Sequence, residues 1–114
     1  MPNQEAALDT IFRALADPTR RAVIQRLGRG PASVSELAEP FEMALPSFLQ
    51  HLRVLEESGL VRSKKAGRVR TCEITPEELA RAETWMVEQR ALWESRIDRL
   101  EVYLQGLQAG EDEA

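Results

Sequence analysis

Ser47, Gln50, His51 and Arg53, followed by Lys64, Lys65, Arg68 and Arg70, carry the chemistry that this 114-residue chain offers. A glutamine amide can pair at two points with adenine, while hydroxyl, imidazole, guanidinium and ammonium groups suit phosphate oxygens. Arg62 brings the cations between 53 and 70 to six. Such a set fits a duplex surface, where cations hold the backbone and a few polar groups meet base edges.

Those residues need a helix and a ribbon to hold them. Leu49, Leu52 and Leu55 follow helical spacing, and the run stops at Ser58-Gly59, which predicts a helix from about Ala44 with Pro46 in its first turn. Strands over 61–65 and 69–74 flank the turn at Ala66-Gly67. A helix feeding a basic two-stranded ribbon is the arrangement of a winged helix-turn-helix, in which the helix enters a major groove and the ribbon grips flanking backbone. The alternative for the charges is an ordinary solvated surface.

Upstream, Leu8, Ile11, Phe12 and Leu15 predict a first helix over about 6–16. Asp17-Pro18 caps and opens a second, which ends near Gly28. Ser33-Val34 suits a very short strand, and Ser35 is the expected cap of a third helix. Pro40 must end or distort that helix by about Glu39, since proline lacks the N–H and clashes with the preceding turn. Downstream, Thr75-Pro76-Glu77-Glu78 joins a capping residue, an early proline and a glutamate three positions on. The helix it opens reaches about Leu104 or Leu107, followed by an acidic tail without fixed structure over 109–114. Leu79, Met86, Trp93, Leu100 and Leu107 recur every seven residues, with Ile97 and Leu104 between them. From Trp93 this is a 4-3 seam that calls for a partner helix.

The length suits one domain, taken as 1–108, mainly α with a small β-hairpin. Net charge is −4, but residues 1–72 hold 11 Lys/Arg against 8 Asp/Glu (+3), and 73–114 hold 4 against 11 (−7). Screening over ~8 Å lets the basic part act locally. No apolar run approaches a membrane span and no signal segment opens the chain, so a cytoplasmic protein is expected. The single cysteine excludes an intramolecular disulfide.

Four strings, FRALADPTRR (12–21), VSELAE (34–39), HLRVLEESGLV (51–61) and GRVR (67–70), resemble the ArsR-type family of bacterial winged-helix repressors and come in that family's order. The resemblance covers about Leu8 to Leu104. It implies a homodimer whose first and last helices (about 6–16 and 76–107) form the interface, through Leu8, Ile11, Phe12, Met86, Trp93, Ile97, Leu100 and Leu104. It also implies repression at a palindromic operator, often the member's own promoter. The recognition helix departs from the family pattern: where a capping Ser and small polar residues are usual, this chain has Ala44, Leu45, Ser47, Phe48 and Leu49.

Each candidate has a plainer reading. Gln50 can be merely solvated, His51 can hold the turn between helices, and Arg53 and Ser47 suit phosphates better than bases. Arg20 and Arg21 are further phosphate candidates. Sensor members of the family carry cysteines on the third helix, where this chain reads Glu36-Leu37-Ala38-Glu39, and others place histidines on the last helix, which here has none. One Cys and one His on separate elements cannot build a tetrahedral metal site, so no metal or cofactor is expected. Cys72 reads as core filler rather than as a redox switch. A Gly-rich phosphate loop and a nucleophile elbow are both absent, which leaves enzyme readings without support. The rival is a protein-interaction module docking through Leu45, Phe48 and Leu49, with a metal- or redox-responsive repressor behind it. No small-molecule effector can be named from the residues.

Overall fold

The computed structural model describes residues 4–113. Helix α1 (Gln4–Leu15) turns into α2 (Pro18–Leu27) through Asp17, whose carboxylate accepts the Arg20 N–H at 3.1 Å with Pro18 in the first turn. Strand β1 (Ala32–Ser33) leads straight into α3 (Val34–Ala38). Ser33, not the expected Ser35, caps that helix: it ends the strand in extended backbone, so its Oγ accepts the Glu36 N–H at 3.1 Å. Glu39 closes α3, as Pro40 requires.

Helix α4 (Leu45–Glu57) starts at Ala44, which offers no side-chain cap, and ends at Ser58. The Ser58 hydroxyl donates to the Leu55 carbonyl at 2.7 Å and accepts the Leu60 N–H at 3.3 Å. Gly59 then turns the chain with φ +80, and a Cβ there would stand 3.0 Å from the Glu78 side chain. The positive φ is what calls for glycine at that point, and a larger residue would also have to displace the Glu78 side chain.

Strands β2 (Val61–Ala66) and β3 (Val69–Ile74) form the wing. Gly67 has φ +65 and Arg68 a negative φ, the backbone pattern of a two-residue hairpin loop with glycine first. The sheet order is β1-β3-β2, antiparallel throughout, with Ala32 opposite Cys72 and Ser63 opposite Cys72 from the other side. The core gathers Ile11 and Ala14 of α1, Val23 and Leu27 of α2, Leu37 of α3, Phe48, Leu52 and Leu55 of α4, and Cys72 of β3.

Helix α5 (Pro76–Glu113) begins directly after Thr75, where the capping pattern put it. It overruns the expected end: residues 109–113, expected as a structureless tail, continue the helix, and Ala114 lies outside the described residues. This segment, Ala-Gly-Glu-Asp-Glu, holds good helix formers in Ala and Glu and no proline, so the helix continues despite Gly110 and the charge. Two compact units divide the chain, residues 1–82 and 83–114, with the boundary inside α5.

Candidate nucleic-acid interface

Helix α4 has two faces. Phe48, Leu52 and Leu55 are sealed in the core, and Phe48 stacks on Phe41 with ring centroids 5.7 Å apart. Ser47, Gln50 and Arg53, spaced by three, are exposed on the outer side. Arg53 makes only a loose 3.7 Å contact with Glu57 one turn on. The outer face therefore carries a hydroxyl, an amide and a guanidinium in a row.

The hairpin supplies the charge. Lys64 and Lys65 lie on opposite faces of β2, and Arg68 stands at the tip of the turn, all three exposed. Among the described residues no ion pair or hydrogen bond engages their side chains. Arg62 differs: its Nε is 2.6 Å from the Glu73 carboxylate directly across the ladder.

Two expected DNA contacts are already occupied within the chain. Arg70 shares a face of β3 with Cys72 and points toward α4, where its guanidinium pairs with Glu56 and its Nε donates to the Ser63 hydroxyl at 3.0 Å. Ser63 in turn donates to the same Glu56 carboxylate at 2.9 Å. Arg70 is thus a strut between wing and helix. His51 Nδ1 sits 3.1 Å from Arg20 Nη1 and 3.7 Å from the Asp17 carboxylate, which ties α4 to the α1–α2 turn.

The same turn accounts for Arg20 and Arg21, which sequence reasoning offered to phosphates. Arg20 Nε donates to the Ala14 carbonyl at 2.7 Å and Nη2 to the Arg13 carbonyl at 3.0 Å, while Arg21 donates to Leu15 at 2.8 Å. The last carbonyls of a helix have no partner within it. Here α2 supplies them from the string ADPTRR. Asp17 feels opposing influences: burial works to raise its pKa, but the Arg20 N–H and the charges of His51 and Arg20 prevail and hold it below 3.8.

Two further expectations change. Phe48, named for an exposed docking face, is 1% exposed, so only Leu45 and Leu49 remain outside. Ile11, named for a dimer surface, is fully buried in its own chain, while Leu8 and Phe12 beside it are half-buried. Helical spacing identified the apolar stripe of α1 but not which members its own core would consume.

Cys72 lies fully buried on β3, and burial, together with the Glu56 carboxylate, pushes its thiol pKa up against the opposing pull of Arg70. A protonated, enclosed thiol is a poor nucleophile and a poor metal ligand. Among the described residues no cluster of His, Cys, Asp and Glu could hold a metal ion, and no helix is long and apolar enough to cross a membrane.

Along α5, Met86, Trp93, Ile97, Leu100, Leu104 and Leu107 are each at least half exposed. The Arg96 guanidinium lies 5.3 Å from the centre of the Trp93 ring. Trp93, Ile97, Leu100, Leu104 and Leu107 repeat at intervals of four and three, as the sequence pattern required.

Known proteins share this architecture. A helix-turn-helix domain family matches residues 15–64. The chain is 42% identical over 76 residues to the HTH-type transcriptional regulator Rv2034 of Mycobacterium tuberculosis, covering 67% of this chain and 71% of that protein. It is 26% identical to the transcriptional repressor SdpR of Bacillus subtilis, over 70% of this chain and 89% of the repressor. A crystallised ArsR family transcriptional regulator superposes with a TM-score of 0.78 at 59% identity, over 83% of this chain and 98% of the other. The family match over 15–64 runs from the α1–α2 turn through α2, β1, α3 and α4 into the first wing strand, the elements that hold the exposed α4 face. The chain belongs to the ArsR-type family of winged helix-turn-helix transcriptional regulators.

Proposed function

We propose that the chain is a homodimeric repressor that binds a palindromic operator in double-stranded DNA, in the cytoplasm, and acts on its own promoter among others. The observation that carries this reading is the pairing, within one compact unit, of an outward polar row on α4 (Ser47, Gln50, Arg53) with unpartnered wing cations (Lys64, Lys65, Arg68). In this reading α4 enters a major groove, Gln50 meets an adenine edge, and Ser47 and Arg53 take phosphates. Arg68 reaches phosphate or the minor groove from the hairpin tip. Arg70 serves by holding the wing against α4, and His51 by tying α4 to the α1–α2 turn.

Pairing follows from α5. A stripe of half-exposed Trp, Ile and Leu at 4-3 spacing is stable in water only when another apolar surface covers it, and a second copy supplies one of matching period. Leu8 and Phe12 of α1 are the second contribution to that interface. Two copies related by a two-fold axis present two α4 helices to major grooves about 34–36 Å apart, hence the palindrome.

Footprinting of the purified protein on the DNA upstream of its own gene tests the reading. An imperfect palindrome should be protected, with affinity falling steeply as salt rises. Binding to that DNA no tighter than to random sequence at low salt would count against it.

A further inference from the structure

Leu45 and Leu49 stand on successive turns of α4, 53% and 36% exposed. They lie on the wing side of the helix, the side from which Glu56, two turns beyond Leu49, reaches Arg70. With Ser33, Val34, Ser35, Arg68, Val69 and Arg70 they line a groove of about 310 Å³. Val69 is also 53% exposed, so three apolar side chains are left in water beside the unpaired cation of Arg68.

The first turn of a recognition helix is the part that meets base edges, and Leu45 is the first residue of α4. Its side chain can neither donate nor accept a hydrogen bond. Of the groups that base pairs display in the major groove, one is apolar, the 5-methyl of thymine. A phosphate backbone complements the cationic rim, which brings the bases to this strip rather than an uncharged partner.

We propose that Leu45 and Leu49 are specificity-determining residues that read thymine methyl groups, so that operator choice depends on thymine at fixed positions in each half-site. The inference rests on the DNA-binding reading and adds the base class to it. Hydrogen bonding through Gln50 then fixes fewer positions than apolar contact does.

Uracil scanning separates the two ideas. Duplexes enriched by the protein from a random pool are resynthesised with deoxyuridine at each thymine in turn, which removes the methyl and keeps every pairing group. Kd is measured for the parent, Leu45→Ala and Leu49→Ala, with thermal unfolding checking that both exposed-site variants stay folded. The parent should lose about threefold to fivefold in affinity at one or two thymines per half-site, the value of one buried methyl. That loss should vanish in one or other variant. Uracil tolerated at every position, or a methyl effect that survives in both variants, overturns the proposal while leaving DNA binding intact. Both leucines would then face a protein segment or solvent. Failure to enrich any duplex brings down the DNA-binding reading itself, and this inference with it.

Discussion

Arg70 of β3 and Glu56 of α4 form an ion pair that Ser63 completes from β2, its hydroxyl bonding both partners. The wing is thereby fixed to the side of the helix that it flanks. Arg70 and Arg68 look equivalent as sequence but have different work. Arg68→Ala should leave the melting temperature unchanged and lower the logarithmic salt slope of DNA binding by about 1. Arg70→Ala should cost about 1 kcal/mol of stability, since the pair is partly exposed, and change the salt slope less. Chemical unfolding beside binding titrations at several salt concentrations checks both. Equal salt slopes for the two variants would mean that Arg70 leaves Glu56 for a phosphate.

Gln50 and His51 are adjacent yet belong to different systems. Gln50 is exposed on the outer face, while His51 turns inward to Arg20, whose guanidinium also holds the Ala14 and Arg13 carbonyls. Arg20→Ala should therefore destabilise the fold by about 2 kcal/mol, through the Ala14 carbonyl left unpaired at the end of α1 and the lost contact with His51. Gln50→Ala should leave the fold intact and weaken discrimination at one base pair by about 1–3 kcal/mol. Differential scanning calorimetry together with competition binding on single-base variants separates them. A stable Arg20→Ala protein with impaired DNA binding would return Arg20 to the phosphates.

Much of this was legible in the residues because the signals are local. Asp17-Pro18, Thr75-Pro76 and Ser58-Gly59 mark helix ends within a few positions, and Gly67 marks the hairpin turn. Apolar spacing located α1, α4 and α5 and the seam beyond Trp93. Less legible was what depends on residues far along the chain. Arg70 meets a carboxylate 14 positions away. Arg20 meets a histidine 31 positions away. Whether Ile11 and Phe48 face a partner or their own core depends on how four helices pack, and spacing within one helix is silent on that. The cap of α3 was misplaced by two residues because Ser33 serves strand and helix at once. The last turns of α5 were missed because acidity was read as a signal for disorder.

Trp93 and Leu100 lie one heptad apart on the exposed stripe of α5. Trp93→Glu or Leu100→Glu places a charge where the seam requires an apolar side chain, and charges at a closely packed helix pair repel or remain desolvated. Each variant should sediment as a monomer, and the loss of linked half-site binding should lower operator affinity by about a hundredfold or more. Far-ultraviolet dichroism should keep the signal of the winged-helix unit. An unchanged sedimentation coefficient for both variants would rule out this stripe as the interface.

Asp17 is ionised more readily in the folded chain than in the unfolded one, because the Arg20 N–H and the charges of His51 and Arg20 outweigh the effect of burial. A carboxyl whose folded pKa is depressed stabilises above its unfolded value of 3.8 and loses that contribution as pH falls through the folded value. Asp17→Asn keeps a good cap while removing the charge. The parent should thus be more stable than the variant at pH 7, and the gap should close as pH falls below about 4, through the range where carboxylates protonate. Melting temperatures of both proteins from pH 7 down to pH 3 provide the measurement. A gap that stays constant across that range would mean that Asp17 acts on α2 by shape and hydrogen bonding alone, with no contribution from its charge.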